Sequence, residues 1–360
     1  MNRLFLDLHA IQTLPPSNIN RDEIGSPKTA QYGGVRRARV SSQSWKIAIR
    51  DYFNENGDKS NVGIRTKHIV SYVAEKIREM DTEVDKEKSM DMAEKVINAA
   101  GVKTADKKAK ALFFLGDEQA KALAKAAIDG EKDKKTIQGL LRKNPAIDIA
   151  LFGRMVADDP SLNEDASSQF AHAISTHAVQ SEFDFYTAVD DSAPEDNAGA
   201  GMLGTVEFNS STLYRYANVS VHQLLNQLKD KEATINTIKL LIEAFANSLP
   251  TGKVNTFANQ TLPQAILITL RSDRPVNLVS AFEVPIQSNT GYVEKSIEKL
   301  LEELEKVEAF VEKPVESLYL SSENVGMKDS IKREKSLKDL VEDLGEVLRE
   351  KVENLEIEEA

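Results

Sequence analysis

Tyr32-Gly33-Gly34-Val35-Arg36-Arg37-Ala38-Arg39-Val40-Ser41-Ser42-Gln43-Ser44-Trp45-Lys46 decides how the chain opens, as strand, basic segment and helix. Three arginines and a lysine surround a Gly-Gly turn and a run of small hydroxyl and amide side chains. Glycine lets one backbone approach another closely. Ser and Gln make short hydrogen bonds, and Arg forks match phosphate oxygens in pairs. The combination predicts a surface for a polyanion with a sugar-phosphate backbone. Upstream, Leu4, Leu6 and Leu8 alternate with Phe5, Asp7 and His9, the period of a strand. Pro15-Pro16 is expected to end that strand and to start a long basic loop reaching Val40. Ser41 and Ser42 can cap a helix through Trp45, Ala48, Ile49 and Phe53 that closes near Asn56-Gly57. On such a helix Gln43, Lys46 and Arg50 share one side.

The charge distribution sharpens this reading. The formal net charge of the 360-residue chain is -11. Residues 1–50 nevertheless hold eight Lys and Arg against Asp7, Asp22 and Glu23, and no acid falls between Gly25 and Arg50. An acidic remainder would repel nucleic acid elsewhere and confine contact to one track. The chain has no cysteine, which removes disulfides, thiol nucleophiles and zinc-thiolate sites. Its first residues lack the apolar core of a secretory signal, and no apolar run approaches the roughly 20 residues of a membrane span. The expected setting is cytoplasmic, without membrane contact.

Farther along, residues 66–143 are rich in Ala, Lys, Glu and Leu at helical spacing, as in Ile69, Val73 and Ile77. They predict a helical insertion whose interleaved charges face solvent. Strand-like text resumes at 146–152 and 168–176. Residues 183–189 and 204–209 flank a stretch rich in Asp, Ala and Gly without apolar periodicity, the pattern of a long protruding hairpin. Residues 213–219 read as another strand, 235–246 as a helix, 264–270 as a buried strand. Leu337, Leu340, Val341, Leu344 and Leu348 give the chain a helical end. The fold class is α+β, with additions inserted into a sheet core.

Other motifs carry less. Thr251-Gly252-Lys253 lacks the first glycine and the hydroxyl residue of a phosphate loop. His172 and His177, five apart, fall on opposite faces of a strand and have no third ligand, so they read as packing histidines and no metal is expected. Asp22-Glu23 and Asp190-Asp191 are carboxylate pairs that would suit a metal-assisted nuclease. A lone Tyr186 in a strand reads as core unless an unpaired base stacks on it. Residue chemistry thus points to single-stranded nucleic acid bound without cleavage; a nuclease using Asp22 and a plain protein-interaction module are the alternatives.

Several segments together resemble one family, the CasC backbone subunit of the type I-E CRISPR surveillance complex Cascade. They are Asn20-Arg21-Asp22, the block from Gly33 to Lys46, Gly153-Arg154-Met155, Ala171-His172-Ala173-Ile174-Ser175-Thr176-His177, Thr187-Ala188-Val189-Asp190-Asp191 and Tyr214-Arg215-Tyr216-Ala217-Asn218. The resemblance implies an RRM-like (ferredoxin-like) palm, helical fingers and a thumb hairpin. Palm text would occupy 1–60, with the basic loop and helix, and 146–178. The fingers would be 61–145, the thumb 179–212, and palm completion with C-terminal helices 213–360. It implies copies stacked head to tail along a crRNA spacer that is presented to target DNA, with other Cascade subunits as partners and no cofactor. Arg21, Lys28, Ser41, Gln43, Lys46 and Arg50 match guide-backbone contacts. Met155, Tyr186 and Thr187 match the surroundings of a displaced nucleotide, with Tyr186 where the family typically has Phe. Related subunits of type III complexes cut RNA with an aspartate near the position of Asp22, but the type I-E family implies no catalysis.

Overall fold

The computed structural model describes residues 3–156, 159–188, 202–326 and 330–357. Strand β1 (Phe5–Ser17) runs through Pro15-Pro16 instead of ending there. Its register against its neighbour shifts between Leu14 and Ser17, so the prolines sit at an irregularity where no ladder N–H is needed. The expected loop to Val40 is largely a hairpin, β2 (Thr29–Tyr32) and β3 (Val35–Val40). Gly33 and Gly34 turn it with φ of +59° and +76°, the positive pair that favours glycine at both central positions of a tight hairpin. Helix α1 (Ser42–Asn56) starts as expected, the Ser41 side chain accepting from the Ser44 amide, and buries Trp45, Ala48, Ile49 and Phe53.

The charged segment folds around a core of its own. Strands β4 (Ile64–Thr66), β5 (Thr104–Ala105), β6 (Lys108–Ala109) and β7 (Phe113–Leu115) are short. Between and after them lie α2 (Ile69–Met80), α3 (Lys86–Ala99), α4 (Asp117–Ile128) and α5 (Lys134–Arg142). Ile69, Val73, Ile77, Val96, Leu123 and Ile137 meet in its interior. Residues 146–152, expected as a strand, form helix α6 (Ile147–Phe152), which Gly153 ends at φ +76°. A short apolar run fits either state, and burial of Ile149, Ala150 and Leu151 on successive helical positions settles it here.

Next come β8 (Ser168–Phe170), β9 (Ala173–Ser175), β10 (Glu182–Ala188) and β11 (Met202–Ser220). The two strands expected at 204–209 and 213–219 are one: β11 pairs with β10 as a hairpin and then with β1 in the core. The hairpin tip, including Asp190-Asp191, Gly199 and Gly201, lies outside the described residues. The chain closes with α7 (Val221–Leu228), α8 (Lys231–Asn247), α9 (Val254–Phe257), β12 (Ala265–Arg271), α10 (Val293–Val307), β13 (Glu316–Ser321), β14 (Lys332–Arg333) and α11 (Leu337–Glu353).

The main sheet runs β14-β13-β12-β1-β11-β9-β3-β2, with β8 and β10 also on β11. The α+β class stands. Leu6, Leu8 and Ala10 of β1 pack beneath α1, α7, α8 and α11. Ile11, Tyr214 and Tyr216 face the opposite layer, built from α10 and the segment around Phe282. The polar alternation of β1 is therefore also buried. Tyr216 Oη donates to Asp7 Oδ1 at 2.7 Å, Tyr214 Oη meets His9 Nδ1 at 2.9 Å, and Arg271 lies 3.4 Å from Asp7. Burial pushes Asp7 up to about 7, and burial with the Arg271 charge pulls His9 down to about 3. Arg215, on the other face, lies between Trp45 at 3.7 Å and Phe245 at 4.2 Å. Tyr214, Tyr216 and Trp45 are thus core residues.

Candidate nucleic-acid interface

The basic residues of the opening stretch divide into two sets. Arg37 is fully buried. Its Nε donates to Tyr32 O at 3.1 Å, Nη1 to Ser175 O at 3.1 Å, and Nη2 to Phe282 O at 2.7 Å and Glu283 O at 3.4 Å. The reading of all three arginines as phosphate forks is corrected here: Arg37 is a clip between the β2–β3 turn, β9 and the layer beneath. Arg36, on the other face of β3, is exposed, and Arg39, on the same face as Arg37 but nearer the end of the strand, is half-buried.

Helix α1 carries the next group. Gln43 is exposed, and Lys46 is half-buried with its Nζ 5.6 Å from the ring centroids of both Phe152 and Phe170. Burial lowers the Lys46 pKa, so an incoming anion would meet a poorly hydrated cation. Arg50 is different. Its Nε pairs with Asp148 Oδ2 at 2.9 Å, Nη2 donates to Gly63 O at 3.1 Å, and its guanidinium carbon lies 4.5 Å from the Phe114 ring centroid. Among the described residues it is the one basic side chain between Lys28 and Arg50 paired with a carboxylate. Gln43, Lys46, Arg50 and Met155 line one cleft of about 530 Å³ with Phe152 and Asn163. Met155 is 83% exposed, unusual for so large an apolar side chain.

The remaining expected residues lie elsewhere. Ser41 is buried, its hydroxyl oxygen accepting from Ser44 N at 3.3 Å and its amide donating to Asn20 Oδ1 at 2.9 Å. Arg21 is exposed on the loop closed by Asn18 and lines a second cleft of about 860 Å³, beyond Ile47, with Asp22, Glu23, Asp51 and Glu55. Asp22 Oδ1 accepts from the amides of Ile24 and Ser26, a turn role. Lys28 takes the other direction, its carbonyl accepting from the Arg39 amide at 2.9 Å. Arg39 in turn donates from Nη1 to His172 Nδ1 at 2.9 Å. His172, read as packing, is exposed; His177 is packing indeed, stacked 3.8 Å from Tyr292.

Tyr186 and Thr187 stand on β10, outside the cleft that holds Met155. Tyr186 pairs with Gly204 and lies flat against it: a Cβ at Gly204 would fall 2.3 Å from the Tyr186 ring. Thr187 shares the opposite face with Phe183 and Phe185, which are 67% and 65% exposed. Sequence reasoning missed these two aromatics, together with Phe152 and Phe170, and read His172 as packing only. Alternation along β10 was the available signal for Phe183 and Phe185. Nothing local marks Phe152 and Phe170, which reach Lys46 from a helix and a strand that only the fold brings together.

A family model described as CT1975-like protein matches residues 6–343. No curated protein matches the chain. Among solved structures, a chain of a "CRISPR RNA-guided surveillance complex, pre-nicking" is 33% identical over 96% of this chain and 100% of that one, with a TM-score of 0.82. A chain of a "CRISPR RNA-guided surveillance complex" is 28% identical over 95% and 99%, with a TM-score of 0.65.

Proposed function

The chain belongs to the CT1975-like protein family, and on that premise we propose that it is a CasC-type backbone subunit of a type I-E Cascade complex. In this reading it binds the sugar-phosphate backbone of a crRNA spacer, and copies of it stack head to tail along that strand. The sheet core with α1 serves as an RRM-like palm, residues 61–145 as fingers and the β10–β11 hairpin as thumb. Target DNA is reached through the guide. The observation that carries the reading is the basic face from Lys28 to Lys46. Its exposed and half-buried cations have no carboxylate partners among the described residues, in a chain that is acidic overall. Recognition by phosphate without base edges suits a protein that must accept any spacer.

Binding of unrelated single-stranded RNAs, titrated over a range of salt, tests this. Lys46→Ala should weaken every sequence about equally and flatten the salt slope by about 0.7. Lys46 is a cleaner probe than Arg50, whose charge is already engaged. Losses that varied with RNA sequence, or no RNA binding by the unaltered protein, would sink the reading.

The aspartate-dependent ribonuclease is tested on the assembled complex with labelled RNA and Mg²⁺. Asp22 spends one carboxylate oxygen on its own loop. Intact RNA is the expected result. Cleavage that disappears in Asp22→Ala would replace the scaffold reading with an enzymatic one.

A further inference from the structure

Between Lys28 and Lys46 the basic face carries Arg39, and the fold sets His172 beside it, Arg39 Nη1 lying 2.9 Å from His172 Nδ1. We propose that these two side chains form a further phosphodiester contact for the bound strand, His172 donating from Nε2 to a non-bridging phosphate oxygen while Arg39 supplies the charge. The inference rests on the RNA-binding reading above.

The geometry assigns the proton. Arg39 has only donors, so His172 Nδ1 must accept, and the neutral ring then carries its hydrogen on Nε2. Arg39 Nε is held by Thr29 O at 3.2 Å, which fixes the guanidinium and hence the ring. Desolvation, and after it the charges of Arg39 and Lys28, hold His172 below its ordinary pKa, in keeping with the neutral ring that the hydrogen bond requires. The ring is exposed, and a neutral imidazole beside a solvated guanidinium contributes little to stability. Among the described residues no carboxylate pairs with Arg39.

Position supports the assignment. Phe170, under the Lys46 ammonium, is two residues before His172, and β3 pairs with β9 through Arg39 and Ile174. The order Lys28, Arg39 with His172, and Lys46 is thus a track on neighbouring backbone segments. A strand following it would meet a donor at each step.

The test is affinity of the full chain for single-stranded RNA of several sequences, measured at several salt concentrations for four variants. A lost hydrogen bond and a lost charge read differently. His172→Ala should weaken binding roughly fivefold to tenfold with an unchanged salt slope, because a neutral donor displaces no counterion. Arg39→Gln should weaken binding and flatten the slope by about 0.7. His172→Gln keeps an oxygen for Arg39 and a donor for phosphate, and should retain most of the affinity. Should His172→Ala bind like the unaltered protein while Lys46→Ala loses affinity, this inference falls and the RNA-binding reading stands. If His172→Ala does not fold, a His172→Gln protein that folds but binds no better than Lys46→Ala overturns the inference equally. If the unaltered protein binds no RNA, both fall.

Discussion

Arg37→Ala is expected to cost about 3–4 kcal/mol of stability, read as a shift in denaturation midpoint without a change in slope. The guanidinium is fully buried, has no carboxylate partner among the described residues, and binds four backbone carbonyls from three separate segments. Removing it leaves those acceptors in a dry site, where each unmade bond costs about 1–3 kcal/mol before relaxation. Arg37→Lys should recover little, because one ammonium cannot reach three directions at once. The adjoining turn leaves no room to adjust: a Cβ on Gly33 would lie 1.7 Å from Glu283 O. A variant whose midpoint moved by less than that of an exposed Arg36→Ala control would refute the clip. Loss of RNA affinity in Arg37→Ala should follow unfolding and disappear at low temperature, whereas loss in Lys46→Ala should persist.

The second large effect is expected at Arg50, which the sequence places in the binding track and the fold places in a junction. Arg50→Ala leaves the buried Asp148 carboxylate without a counter-charge, held by backbone amides, that of Gly63 at 2.8 Å among them. The expected cost is about 2–4 kcal/mol, below the ~3–5 of a wholly buried pair because water reaches one side of Arg50. Burial already holds the Asp148 carboxyl above its ordinary pKa, outweighing the Gly63 amide and Arg50. A folded-state pKa above the unfolded value means the carboxyl favours the fold when protonated, and that the contribution is lost as pH rises through the folded pKa. The penalty of Arg50→Ala should therefore shrink as pH falls from 7 toward the unfolded carboxylate range, and Arg50→Ala with Asp148→Asn should be milder than Arg50→Ala alone. A pH-independent penalty, or a double variant that adds both losses in full, would show that the pair does not act as one.

These residues indicate where sequence reasoning reaches and where it stops. Period, caps and turns are local, so the start of α1 at Ser41, the helical character of 66–143 and the strand at 264–270 could be read directly. The β2–β3 turn was also legible, since Gly-Gly between β-prone runs is a turn signal. The helix at 147–152 was not legible: six apolar and polar residues fit a strand equally well, and the reward for a helix is Asp148 reaching Gly63, 85 positions away. The site divides likewise. Gln43, Lys46 and Arg50 follow from helical spacing, but whether a cation is free or committed depends on its partner. Apart from the nearby Tyr32 carbonyl, Arg37 is committed to carbonyls of Ser175, Phe282 and Glu283 and Arg50 to the carboxylate of Asp148, and no short window of sequence contains both ends of those bonds.

Strand β11 has a mechanical implication. Its 19 residues span roughly 60 Å at about 3.3 Å per residue, with the β10 ladder ending at Phe208 and the β1 ladder beginning at Asn209. At the changeover Asn18 Nδ2 bridges Glu207 O, at 2.8 Å, and Gly25 O, at 2.9 Å. The projecting arm and the anchored beam are one continuous strand, braced beside the register shift of β1 by a side chain from the loop that bears Arg21. A sideways load on the arm is carried by the same strand into the middle of the main sheet. If neighbouring copies pull on that arm, the bending modulus of a single strand becomes part of the elasticity of the whole array.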